Sequence, residues 1–149
     1  MHILVVGGGM GGTILANNLA RRLSGELEQG SSKITMLSAT DKHMYQPGLL
    51  YVAVGKMSTT ELYRDQKSLL EPSIDFHVDP VEKFDMDNNS VTTKSGKKIS
   101  YDILCIATGS RGNAAGIPGL AENACQFYTE ADALATVSYT HLTLPTIGC

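Results

Sequence analysis

An α/β fold with a parallel sheet and an antiparallel β-meander as one crossover is predicted by three features of the chain. The apolar run Ile3-Leu4-Val5-Val6 leads directly into Gly7-Gly8-Gly9-Met10-Gly11-Gly12, a G-x-G-x-x-G loop set between a buried strand and a helix. Three short strand-like segments between residues 81 and 100 alternate with the turn-rich stretches Asp85-Met86-Asp87-Asn88-Asn89 and Lys94-Ser95-Gly96-Lys97, where a plain repeat of strand and helix would instead place a helix. The continuous apolar run Ile103-Leu104-Cys105-Ile106 then reads as a parallel strand buried on both faces, and it ends in Ala107-Thr108-Gly109.

Taken in order, the first unit is strand His2–Val6, helix Gly11–Leu23, polar loop Ser24–Ser32 and strand Lys33–Leu37, a βαβ unit whose helix offers Ile14, Leu15, Leu19 and Leu23 as its buried face. From Thr40 to Lys56 the chain carries Pro47, Gly48 and Gly55 around the apolar stretch Leu49–Val54, an ordered excursion of the kind that lies against a ligand. Ser58 and Glu61 have capping-box spacing and predict a helix over Thr59–Leu70, closed by Pro72. Ile74–Val78 follows as a strand, then the meander strands Val81–Phe84, Ser90–Thr93 and Lys98–Ser100. Glu130–Ala135 reads as helix. Beyond it, residues 136–146 are rich in β-branched types and reach Pro145, so the helix is expected to stop.

Glycine suits the loop because a pyrophosphate must approach the backbone closely, with N–H groups of the turn and of the helix N-terminus facing its charge. A dinucleotide is the ligand this predicts. The second strand of such a unit ordinarily ends in an acid that accepts hydrogen bonds from a ribose; Ser38 stands there, and Asp41 is either a substitute or a turn cap. Net charge is −3, from 12 basic and 15 acidic residues without blocks of one sign, which gives no support to a nucleic-acid surface. With 149 residues the chain holds one domain at most; with no leader-like start and no run of membrane-span length, it is expected to be soluble and cytoplasmic. His2, His43, His77 and His141 lack ligand spacing, so no metal site is expected and none of the four is read as catalytic. Cys105 is expected to act as a small hydrophobe inside its strand; Cys125 and Cys149 form no motif with it. Tyr45 and Tyr51 read as packing residues, and Glu61 and Glu82 as solvated.

At this point the chain resembles the first half of the FAD domain of flavoprotein reductases with two dinucleotide domains, and within them the sulfide:quinone oxidoreductase family. The likeness is carried by Gly7–Gly12, Leu37-Ser38-Ala39-Thr40-Asp41, Tyr45-Gln46-Pro47-Gly48-Leu49, Val52-Ala53-Val54-Gly55 and Val91–Asp102, and it covers residues 1 to about 135. In that family a serine at the position of Ser38 is usual. The resemblance implies that Gly7, Gly9, Met10, Gly11 and Gly12 hold the FAD pyrophosphate, and that Ser38 and Ala39 meet the adenosine ribose. It places Gln46 and Pro47 near the ribityl or flavin end, Val81 at adenine through its backbone, and Thr108 with Gly109 beside the cofactor. The chemistry implied is attack of sulfide on a cysteine bridge, transfer of an electron pair to FAD and reduction of a membrane quinone by a peripheral membrane protein. The bridging cysteines fall beyond residue 149, so no catalytic residue is assigned within this chain, which is expected to be inactive alone. Many members place a further cysteine where Tyr128 stands here; Cys125 lies three residues upstream.

Two other readings stay open. A type II NADH dehydrogenase shares the glycine loop and a Gln-Pro-x-Leu-Leu-Tyr segment like Gln46–Tyr51, and a non-enzymatic nucleotide-binding module would need nothing more than this chain. The string from Val137 to about Ile147 is similar to a translated sequencing adapter, so residues 1–135 are read as the N-terminal part of an FAD-binding domain and 136–149 as a non-native tail.

Overall fold

The computed structural model describes residues 1–112, 116–124 and 127–143. These fall into two compact units, one of Met1–His43 and Arg64–Gly109, the other of Met44–Tyr63 and Ser110–Cys149.

The first unit is built on a four-stranded parallel sheet. β1 (His2–Val6) lies between β2 (Lys33–Ser38) and β9 (Ile103–Ile106), and β5 (Ile74–Val78) lies outside β2, giving the order β5-β2-β1-β9. β1 is central because it has no polar face: Leu4 and Val5 are fully buried, one on each side. Burying such side chains stabilises by roughly 1.5–3 kcal/mol each. On one side Ile3, Val5, Ile34 and Met36 pack against α1 (Met10–Arg22) through Ala16 and Ala20; on the other Leu4, Val6 and Leu37 pack against Val91, Tyr101 and Ile99 of the meander region. That meander, β6 (Val81–Asp85), β7 (Ser90–Thr93) and β8 (Lys98–Ser100), is antiparallel as expected. Asn89 supplies the left-handed residue of its first turn at φ 45°, Gly96 that of its second at φ 86°. At the far end, the Asp102 carboxylate accepts the His2 N–H at 2.5 Å, fixing where β9 starts beside β1.

Several expectations are corrected. β9, expected to be buried on both faces, is the outermost strand of the described sheet next to β1, and Ile103 and Ile106 at its two ends are exposed. The face of α1 turned to the core is Gly12, Thr13, Ala16 and Ala20, whereas Ile14 and Leu15 are exposed and only Leu19 and Leu23 pack partly on the core. Small residues face the sheet because the helix starts directly off the glycine loop and has no room for larger ones. The segment Ser24–Ser32 holds a short helix, α2 (Ser24–Glu28). Instead of one helix over Thr59–Leu70 there is a 3₁₀ turn (Thr59–Leu62), a strand β4 (Tyr63–Asp65) and a second 3₁₀ turn (Lys67–Leu69). Glu61 does reach back to the Ser58 N–H at 2.8 Å, so the capping signal is real. What ends the turn is pairing of β4 with β3 (Lys42–Met44), a long-range contact that local spacing does not encode.

The second unit packs α3 (Leu49–Ala53) on α5 (Glu130–Thr143), with Leu49, Val52, Ala53, Leu62 and Ala133 buried together. α4 (Leu120–Asn123) is a single turn. α5 starts on a reciprocal cap: the Thr129 N–H donates to the Asp132 carboxylate at 2.7 Å, and the Asp132 N–H donates to Thr129 Oγ1 at 3.2 Å. The Tyr63 hydroxyl donates to Glu130 Oε2 at 2.5 Å. The helix runs to Thr143, past the expected stop at Ala135, because Thr, Val and Tyr each cost only a few tenths of a kcal/mol in a helix and the proline comes two residues later.

β5 is an edge of the sheet and carries charge. Asp75 takes hydrogen bonds from Lys33 at 2.8 Å and His77 at 2.9 Å. Burial opposes its ionisation, but these two partners outweigh it and hold the carboxyl below its ordinary value. A depressed carboxyl pKa adds stability above the unfolded value near 4 and loses it as pH falls through the folded value. All three side chains are more than a third exposed, so the gain is screened. Asp75→Asn is expected to cost less than about 1 kcal/mol in urea unfolding at pH 7, with the difference from the parent shrinking towards pH 3; a cost unchanged by pH would contradict the ion-pair account.

Candidate functional site

The site is built where β1 gives way to α1. Gly7 has φ +115°, and its N–H donates to the Leu37 carbonyl at 2.8 Å, closing the loop against the end of β2. A Cβ on Gly7 would overlap the Ala107 carbonyl, and Ala107 in turn donates its N–H to Val6 at 2.7 Å. The Ala107-Thr108 end of β9 is thereby brought against the loop; Gly109 follows at φ +77°, where a Cβ would meet no atom within 4 Å. A Cβ on Gly12 would overlap the Gly7 carbonyl, so two of the glycines are demanded by the protein's own backbone.

Gly9 and Gly11 differ. A Cβ at either would meet no atom within 4 Å, and both are exposed together with Met10. The steric need for glycine at position 9 therefore arises only from what approaches the loop from outside. Gly9 is the N-cap of α1 with no side-chain cap, and the first turn holds no acid. The leading N–H groups of a thirteen-residue helix are left for an external anion, with the helix dipole behind them. A pyrophosphate-bearing cofactor fits this cradle.

Ser38 closes the side of the loop. It is buried, its Oγ lies 2.5 Å from where a Gly8 Cβ would stand, and it accepts the Thr40 N–H at 3.3 Å. Ala39 next to it is exposed. At the same ends of β2 and β5 lies a cavity of about 280 Å³ lined by Leu37, His77, Val78, Asp79, Ser95, Lys97 and Ile99. Asp79 there accepts the Ser95 hydroxyl at 2.6 Å, and this bond holds its carboxyl below the ordinary value. Val81 opens β6 beside Thr93 and packs on the core under the meander.

Gln46 and Pro47 belong to the second unit, where they open a 3₁₀ turn over Gln46–Gly48. There the Tyr128 hydroxyl is hydrogen-bonded by Ser110 at 2.9 Å and by Gln46, and these bonds lower its pKa. Tyr45 and Tyr51, expected as packing residues, are about half exposed. Cys105 is half-buried on the core, whereas Cys125 and Cys149 lie outside the described residues, as does the end of the adapter-like tail. No described helix is long and apolar enough to cross a membrane.

Three residues behind the loop escaped the sequence reading: Thr13, His43 and Gln66. Gln66 is fully buried, donates to Thr13 Oγ1 at 2.9 Å and faces His43 Nδ1 at 3.0 Å. A glutamine inside a stretch expected to be helical gives no local signal of this.

A parallel sheet in the order β5-β2-β1-β9 around an anion-accepting glycine loop, with a meander as crossover, is the arrangement of a dinucleotide-binding oxidoreductase domain. The family model described as pyridine nucleotide-disulphide oxidoreductase matches residues 1–142, and the chain belongs to that family. It is 38% identical over 136 residues to the sulfide-quinone reductase of Aquifex aeolicus, covering 91% of this chain and 30% of that protein. It is 32% identical over 121 residues to the mitochondrial sulfide:quinone oxidoreductase of Mus musculus, covering 81% of this chain and 26% of that protein. The X-ray structure of the Aquifex aeolicus sulfide:quinone oxidoreductase superposes with a TM-score of 0.76 at 32% identity, over 95% of this chain and 32% of that one. The chain thus spans about 30% of the length of the curated relatives it matches. FAD is the cofactor of this domain type.

Proposed function

We propose that this chain is the FAD-binding portion of a flavoprotein oxidoreductase that oxidises sulfide and reduces a membrane quinone. The observation that carries the reading is the 38% identity to a sulfide-quinone reductase over nearly the whole chain. FAD, when bound, accepts an electron pair and passes it on. This chain's residues bind and orient it: Gly7, Gly9, Met10, Gly11 and Gly12 take the pyrophosphate on backbone N–H groups and the start of α1, with Thr108 and Gly109 beside them. Ser38 and Ala39 sit at the ribose, Val81 at adenine and Gln46 with Pro47 towards the flavin end. Sulfide and quinone are handled by residues beyond this chain, which holds the cofactor but does not turn over alone.

The test is to read the encoding DNA past the Ala135 codon independently, express the whole reading frame and follow quinone reduction. Sulfide-dependent reduction that NADH does not replace is the expected result. Reduction driven by NADH and not by sulfide would identify the protein as a type II NADH dehydrogenase. A clean reading frame that stops after Cys149 would instead favour a nucleotide-binding module without catalysis, and would end the reading of residues 136–149 as a foreign tail.

A further inference from the structure

Behind the glycine loop lies a partly buried hydrogen-bond bracket that converges on one carbonyl. His43 Nδ1 lies 3.1 Å from the Gly8 carbonyl oxygen and 3.0 Å from Gln66 Oε1. Both are acceptors, so the ring carries its hydrogen on Nδ1. The Gln66 side-chain amide donates to Thr13 Oγ1 at 2.9 Å, and the Thr13 hydroxyl donates on to the same Gly8 oxygen at 3.4 Å. Gln66 is fully buried and Thr13 nearly so. All four residues lie in the first unit.

We infer that Thr13, His43 and Gln66 are positioning residues for the cofactor pyrophosphate, acting through the Gly8–Gly9 peptide. In a trans peptide the C=O of one residue and the N–H of the next point in opposite directions. Drawing the Gly8 oxygen inward to Thr13 and His43 therefore aims the Gly9 N–H outward. The surroundings of Gly9 leave room for a ligand there, since a Cβ on Gly9 would meet no protein atom within 4 Å and the residue is exposed. A peptide between two glycines would otherwise flip at little cost, because glycine tolerates both signs of φ. Two donors on the oxygen, the nearly buried Thr13 hydroxyl and the half-buried His43 N–H, oppose the flip, since turning it outward would leave the Thr13 hydroxyl without its acceptor and the His43 N–H with Gln66 Oε1 alone. The bracket thus keeps one N–H of the anion cradle aimed before the ligand arrives, which lowers the ordering cost of binding.

This inference rests on the proposed FAD-binding reading, and the test separates the two. The 149-residue chain is titrated with FAD and with ADP at 10 °C, and unfolding is recorded on the same samples. Thr13→Val and Gln66→Met are expected to weaken both ligands about tenfold in protein that is still folded, while Thr13→Ser, which keeps the hydroxyl, stays within about twofold of the parent. His43→Phe, at a half-buried position that tolerates a ring, gives the same loss if Gln66→Met does not fold. Variants with a lower Tm but parental affinity for both ligands would mean that the bracket only stabilises the fold, and would overturn the inference. A parent chain that binds neither FAD nor ADP would overturn the FAD-binding reading and the inference with it.

Discussion

Gly12→Ala is expected to destabilise the chain by about 3 kcal/mol or more and to abolish FAD binding, while Gly9→Ala leaves the fold intact and loses binding alone. The two glycines look equivalent in a G-x-G-x-x-G pattern. The structure separates them. At Gly12 the added methyl overlaps the carbonyl of Gly7, and that carbonyl cannot rotate aside because Gly7 is fixed by its N–H bond to Leu37 and by contact with Ala107. Relief requires moving the start of α1 off the sheet, together with Thr13 and Ala16, which are buried under it. At Gly9 the backbone has φ −73°, an ordinary value for any residue, and the methyl would enter open space. Its unfolding free energy should stay within about 0.5 kcal/mol of the parent. Only a ligand lying in that space would sense the change, and an affinity loss of at least about tenfold is expected. Gly11→Ala serves as a control: it lies inside the helix with free space around it, so a gain of up to about 1 kcal/mol is expected. Chemical denaturation and flavin fluorescence titration on the same three variants decide the matter. A Gly9→Ala protein that binds FAD like the parent would remove the cofactor from the outer face of the loop.

What the sequence shows of this protein divides along physical lines. The strands of the parallel sheet and of the meander are legible nearly to the residue, because strands are short apolar or alternating runs and their turns carry Gly, Asn or Asp, but the run Ile103–Ile106 does not reveal that β9 lies at the edge of the sheet. The glycine loop is legible for the same reason: few residue types meet its backbone demand. The buried face of α1 is not, since periodicity marks Ile14 and Leu15 as core, whereas close approach of helix to sheet selects Gly12, Ala16 and Ala20. Nor is the stretch from Thr59 to Leu70. Its cap signal is obeyed by Glu61, but Tyr63–Asp65 finds a partner strand twenty residues earlier and Gln66 finds its partners at positions 13 and 43. Such contacts are set by the chain's return to itself. Of the candidate site, the loop is visible from its glycines, while Thr13, His43 and Gln66, hydrogen-bonded behind it, have no motif.

Leu62→Ala is expected to be the most damaging single change in the second unit, costing about 2–5 kcal/mol. Leu62 is fully buried among Leu49, Val52, Ala53 and Ala133, so truncation leaves a cavity between α3 and α5. Gly48 supplies the counterpart. Its φ of −64° and ψ of −20° suit any residue, so its smallness is required by packing alone: a Cβ there would stand 2.6 Å from Leu62 Cδ2 and 3.1 Å from Met57 Sδ. Gly48→Ala by itself should cost about 1–3 kcal/mol as overpacking. In the double variant the new methyl at 48 enters the space that Leu62 vacates, and the combined loss should fall short of the two single losses by about 1 kcal/mol or more. Simple additivity would mean that the two sites do not share that space. The consequence for function is read at Tyr128, whose phenol is held below its ordinary pKa by hydrogen bonds from Ser110 and from Gln46, the first residue of the turn that Gly48 closes. If Leu62 packing sets that turn, the Tyr128 pKa rises towards 10 in Leu62→Ala and returns part of the way in the double variant, as followed by ultraviolet titration of the phenol. A Tyr128 titration unmoved by either change would show that Gln46 is placed independently of the core beneath it.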